Sequence, residues 1–98
     1  TANLSQLFYV LIDVRTPQEY AEGHLLGAIN IPSAEISGRL SELPKDMLVI
    51  IYDDANEQSD PVAQMMLNAG YNQARSLLGG LSEWMRQFGD RYVAARPQ

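Results

Sequence analysis

The densest run of groups able to do chemistry is Asp53-Asp54-Ala55-Asn56-Glu57-Gln58, followed by Ser59 and Asp60. It places four carboxyl groups within eight residues, directly after the most apolar segment of the chain, Met47 to Tyr52. Three kinds of chemistry use carboxylates in this density. A nucleophilic aspartate with an acid partner could accept a phosphoryl group, but that reaction wants a metal ion and a nearby lysine. The single lysine, Lys45, precedes the same apolar segment and belongs at its far end. The carboxylates could instead hold Mg²⁺ or Ca²⁺, although their spacing fits no EF-hand. The third reading is a solvated acidic loop with a structural role, and the residue pattern favours it.

His24 is the only histidine, and a catalytic base is the less economical reading beside a structural one. There is no cysteine, which excludes a thiol nucleophile, a disulfide and a thiolate metal site. No cofactor is expected. Asp13 and Arg15 bracket the end of an apolar run, where an ion pair bracing a loop is favoured over substrate binding.

The 98 residues suffice for one modest core and are expected to form a single domain, residues 1–98. Hydrophobic residues make up 46% and charged residues 19%, a globular balance. The net charge of −5, with no basic stripe, disfavours nucleic acid and anionic membranes as partners. No apolar run is long enough to span a bilayer, and Thr1-Ala2-Asn3 carries no basic leader, so a cytoplasmic location is the expectation.

Short apolar runs alternate with helical patterns, which signals βαβ units around a parallel sheet. A first strand is expected from Phe8 to Val14. A helix follows, capped by Thr16 with Glu19 as its reciprocal partner and Pro17 in the first turn, and it stops at Gly23. Ala28 to Ile31 reads as a short strand ended by Pro32. Ser33 reads as the cap of a helix carrying Ile36, Leu40 and Leu43 on one face. Met47 to Tyr52 reads as the central strand. Ser59 or Asp60 then caps a helix whose inner face is Val62, Met66 and Ala69, ended by Gly70. A strand near Gln73 to Leu77 leads through Gly79-Gly80 into a last helix, with Leu81, Trp84, Met85 and Phe88 at core spacing. Trp84 and the pair Met65-Met66 read as packing residues. A loose tail is expected from Arg91 to Gln98.

In such a sheet the working crevice lies beyond the C-terminal ends of the strands, which is where Asp53 to Gln58 falls. A family resemblance becomes specific here. Leu11-Ile12-Asp13-Val14-Arg15-Thr16-Pro17-Gln18-Glu19-Tyr20, then Gly23-His24, then Gly27-Ala28-Ile29-Asn30-Ile31-Pro32 resemble the N-terminal signature of the rhodanese family. Leu78-Gly79-Gly80 with Trp84 resembles its second signature, and Val49-Ile50-Ile51-Tyr52 its active-site strand. Together these pieces cover roughly residues 8 to 89.

The resemblance implies a three-layer α/β fold, with a parallel sheet of four or five strands and helices on both faces. A first edge strand would be missing or reduced to residues 1–7. It makes Asp13, Arg15, Glu19, His24, Gly79, Gly80 and Trp84 framework residues. It also implies a sulfurtransferase loop with a cysteine directly after the tyrosine, then an arginine, a glycine and a basic or hydroxyl residue. Here those places hold Asp53, Asp54, Asn56 and Gln58, and only Ser59 keeps its usual character. Aspartate at the cysteine position is a recurring form of catalytically silent copies, so the resemblance points to a silent module. Its implied partner is a protein or an adjacent domain. The rival readings are a sulfurtransferase-type enzyme or partner subunit of one, and a domain binding a divalent cation through residues 53–60.

Overall fold

The computed structural model describes residues 9–89 and the backbone of residues 93–94. The order of elements is β1 (Tyr9–Asp13), α1 (Pro17–Glu22), β2 (His24–Leu25), β3 (Ile29–Asn30), a 3-10 helix (Ile36–Glu42), β4 (Leu48–Tyr52), α2 (Ser59–Asn68), β5 (Ala74–Ser76), α3 (Gly80–Phe88) and β6 (Val93–Ala94). Four strands form a parallel sheet in the order β3-β1-β4-β5. This is the α/β architecture expected from the alternation of apolar runs and helices, with four strands rather than five among the described residues.

Inner strands that are buried on both faces must be apolar along their length, and β1 and β4 are. Their alternate residues feed two cores. Ile12, Val49 and Ile51 face α2 and the 3-10 helix, where Val62, Ala63, Met66 and Ile36 complete a cluster that Met65 and Leu40 flank. Tyr52 faces the other way, with Leu25, Ala28 and Leu81, and Leu11, Tyr20 and Trp84 pack against them. The sheet therefore carries helices on both faces, and Trp84, Met65 and Met66 serve as packing.

The register places Asp13 beside Tyr52 at the C-terminal ends of the two inner strands. The amide of Val14 donates to the Tyr52 carbonyl at 3.0 Å. Two residues far apart in sequence, Arg15 and Asp53, are thereby delivered to the same edge.

Several local expectations are corrected. The segment after Ser33 is a 3-10 helix with Glu35 at its start and no side-chain cap, because the Ser33 hydroxyl is spent on Gln58 instead. Neither Ser59 nor Asp60 caps α2. Gln58 precedes the helix without a capping bond, Ser59 Oγ turns to Asp53, and Asp60 accepts from Ser76 Oγ. The inner face of α2 uses Ala63, while Ala69 is exposed at the helix end. On α3, Leu81 is buried but Met85 and Phe88 are exposed, so the apolar stripe is wider than the surface it covers. The segment expected to be a loose tail contains β6, which pairs antiparallel with β2, a two-residue strand that periodicity cannot reveal. The expectation for residues 1–7 lies outside the described residues.

Candidate functional site

The site begins with a capped helix. Thr16 and Glu19 form the reciprocal box, each side chain bonded to the other residue's backbone N–H, with Pro17 in the first turn. That arrangement fixes the turn carrying Arg15. Asp13 is fully buried, and its carboxylate accepts from Arg15 Nη2 at 2.8 Å and Nε at 3.1 Å, and from the Arg15 amide at 2.8 Å. Arg15 Nη2 also donates to the Gly23 carbonyl at 2.5 Å, tying down the end of α1. Burial works against the guanidinium charge, but the bonds and charge of Asp13, and then Asp54, outweigh it and raise the Arg15 pKa. Next to this pair, Tyr52 Oη accepts from the Leu25 amide at 2.9 Å, and burial pushes its pKa well above the ordinary tyrosine value.

Only a forked, planar cation can serve Asp13, Gly23 and Asp54 together. Replacing Arg15 with lysine is expected to cost about 1–2 kcal/mol, because the side-on contacts of a buried carboxylate are lost while the charge stays. Denaturant unfolding measures this; a variant as stable as the parent would show that point charge alone suffices.

His24 stacks on Tyr20 with ring centroids 3.7 Å apart, and its Nδ1 lies 2.7 Å from the Tyr20 carbonyl. It lies in β2, and neither Asp53 nor Asp54 is among its hydrogen-bond partners. Trp84 packs on the Tyr52 core and is tilted against Phe88.

The loop itself is built around Asp53, which is 6% exposed. Its Oδ1 accepts from the Asn56 amide at 2.7 Å and from Ser59 Oγ at 3.1 Å, and its Oδ2 accepts from the Gln58 amide at 2.7 Å. A carboxylate thus fills the space inside its own loop, and the loop's inward N–H groups are satisfied by it. Asp54 points outward, 56% exposed, with one contact to Arg15 Nη1 at 3.3 Å. Ala55 and Glu57 are exposed. Gln58 accepts from Ser33 Oγ at 2.5 Å, linking the loop to the segment after β3.

Asn56 stands where the family resemblance calls for glycine, and its φ of 71° is the left-handed value glycine supplies. Its carboxamide reaches across to the turn before α3, a contact the sequence did not announce. At that turn Gly79 and Gly80 have φ of 77° and 64°. The amides of Leu81 and Ser82 donate to the carbonyls of Asp53 and Asp54 at 2.8 and 2.9 Å.

A cleft of about 400 Å³ lies beside the loop, lined by Arg15, Thr16, Glu19, Ser33, Asp54 and Glu57 among others. One guanidinium, already shared between Asp13 and Asp54, lines this cleft together with the acidic residues Glu19, Asp53, Asp54 and Glu57. Among the described residues no three acidic or histidine side chains converge as metal ligands. No described helix is long and apolar enough to cross a membrane.

A parallel sheet whose central strand runs into a six-residue loop against a helix N-terminus defines a class of α/β domain. Residues 1–87 match the rhodanese-like domain family, and the chain belongs to it. The chain is similar to a protein named sulfurtransferase from Allochromatium vinosum, 36% identical over 77 residues, covering 79% of this chain and 72% of that protein. It is similar to the uncharacterized protein YqhL of Bacillus subtilis, 38% identical over 74 residues, covering 76% of this chain and 59% of that one. Among solved structures, the Alr3790 protein of Anabaena superimposes with a TM-score of 0.82 at 26% identity, over 97% of this chain and 75% of that one. Reduced CoADR-RHD of Bacillus anthracis gives 0.83 at 30% identity, over 95% of this chain and 16% of that one. The domain is therefore sulfurtransferase-related, and it has no cysteine.

Proposed function

We propose that this rhodanese-like domain is catalytically silent and serves as a protein-binding or regulatory module. One observation carries the reading: the Asp53 carboxylate occupies the loop's inward N–H groups. Sulfur transfer needs a polarizable thiolate that can hold a sulfur atom as a persulfide, and a carboxylate oxygen cannot. The donor thiosulfate is also a dianion. At this loop it meets the exposed Asp54 and Glu57, and the one guanidinium beside them, Arg15, is already paired with Asp13 and Asp54. Each pair of unit charges at ~4 Å costs about 1–4 kcal/mol at effective dielectrics between water and a protein surface.

The rival reading is an enzyme, supported by the sulfurtransferase name of the Allochromatium relative. Thiosulfate binding separates the two. Titration of the purified chain with thiosulfate is expected to leave the amide signals of Asn56 and Gln58 in place. Saturable movement of both would mean that the donor displaces the carboxylate, and the silent reading would fall. Asp53→Cys alone is expected to give little turnover, since Asp54 and Glu57 still repel the donor.

A further inference from the structure

We propose that Asn56 is a conformational lock that makes the 53–58 loop and the N-terminus of α3 a single opening unit. Among the described residues it is the only non-glycine with positive φ. Asparagine tolerates that backbone better than other side-chain-bearing residues do, and it adds a carboxamide that glycine lacks.

The carboxamide makes three of its four possible hydrogen bonds. Nδ2 donates to the Leu77 carbonyl at 2.7 Å and to Ser59 Oγ at 3.1 Å, and Oδ1 accepts from the Gly79 amide at 2.5 Å. Ser59 is fully buried, and its hydroxyl passes on to Asp53 Oδ1. The loop is thus tied to the turn through one side chain.

A return path closes the circuit through the backbone. The amides of Leu81 and Ser82 belong to the first turn of α3, where no intrahelical acceptor exists, and they bond the Asp53 and Asp54 carbonyls instead. Gly80 lies so close to those carbonyls that an added Cβ would stand 2.5 Å from the Asp53 oxygen. Loop, turn and helix end therefore form a ring: Asp53 to Ser59 to Asn56, on to Leu77 and Gly79, through α3, and back to Asp53 and Asp54. Lifting the loop breaks the Asn56 bonds and strands the Leu81 and Ser82 amides in the same movement. Opening is all-or-none for the unit, and a partner gripping the loop or the α3 turn acts on both. The lock does not depend on the silent reading, because it concerns the loop's motion and not its chemistry.

Native-state hydrogen exchange tests it on three amides that Asn56's side chain does not touch: Gln58, Leu81 and Ser82. In the parent chain under rising denaturant, these three are expected to merge on one opening curve, distinct from that of Ile12 and Ile51 in the sheet. Separate curves for Gln58 and for the two helix amides would overturn the proposal, and this arm needs no variant. In Asn56→Gly, which keeps the backbone conformation, and in Asn56→Asp, which loses the two N–H donors, all three amides are expected to exchange about ten-fold faster together. Acceleration confined to Gly79 would reduce Asn56 to a local turn residue and would also overturn it.

Discussion

Asp53→Asn is expected to lower the melting temperature by about 8–24 °C. The carboxylate accepts from two backbone amides and one hydroxyl, using both oxygens, in a site 6% exposed. An amide side chain turns one of those oxygens into a donor. That donor must face either the Gln58 N–H or the Asn56 and Ser59 donors, leaving a buried group unpaired whichever way it flips. Charge-assisted bonds and orphaned buried donors put the loss at roughly 2–3 kcal/mol, and each kcal/mol moves a domain of this size by about 4–8 °C.

A competing effect has the opposite sign. Removing one negative charge from a cluster of four relieves repulsion, worth about 1 kcal/mol per close pair near water. The hydrogen bonds outweigh it because Asp53 is buried whereas Asp54 and Glu57 are exposed. Asp54→Asn is the control: it removes the same charge from a 56% exposed side chain with a single long contact, and is expected to change stability by less than about 1 kcal/mol. Calorimetry on the two variants decides. An unchanged or raised melting temperature for Asp53→Asn would mean that repulsion dominates and the loop does not rely on its internal anion.

Gly80→Ala is expected to be the more damaging change, preventing accumulation of folded protein or costing about 2–6 kcal/mol. Overpacking and a left-handed Cβ each contribute about 1–3 kcal/mol. The added carbon would lie 2.5 Å from the Asp53 carbonyl oxygen, 2.6 Å from that of Asp54 and 2.7 Å from the Asp54 carbonyl carbon. These are backbone atoms held by the Leu81 and Ser82 amides, so they cannot step aside without dismantling the helix end. Gly27 has a φ of 85° but nothing within 4 Å of its Cβ position, so Gly27→Ala isolates the conformational penalty. Equal unfolding midpoints for the two variants would refute a steric role for Gly80 and break the return path of the ring.

The parts of this fold legible in the sequence were those written in local rules. Thr16, Pro17 and Glu19 announce α1 because a capping box needs only its own residues. Val49 to Tyr52 announce an inner strand because burial on both faces demands an unbroken apolar run. The parts that stayed hidden depend on partners distant in the chain. Ser33 and Ser59 look like caps, but tertiary bonds to Gln58 and Asp53 claim their hydroxyls. β2 and β6 are two residues each, too short for a period, and exist by pairing with each other.

At the site, the missing cysteine and the excess of carboxylates were visible as residue types. The placement of Asp53 to Gln58 at the C-terminal end of an inner strand followed from the sheet pattern. The reach of Asn56 to Leu77 and Gly79 did not, since it spans more than twenty residues. Its one signal was asparagine at a position where the family resemblance calls for glycine, which marks a left-handed backbone.

Everything functional rests on what position 53 can carry. The most direct measurement is thiocyanate production from thiosulfate and cyanide by the purified chain, with protein mass recorded after exposure to the donor alone. The expected result is no thiocyanate above the buffer control and no mass gain from a retained sulfur atom. Turnover above that control, or a sulfur adduct removable by cyanide, would contradict the account.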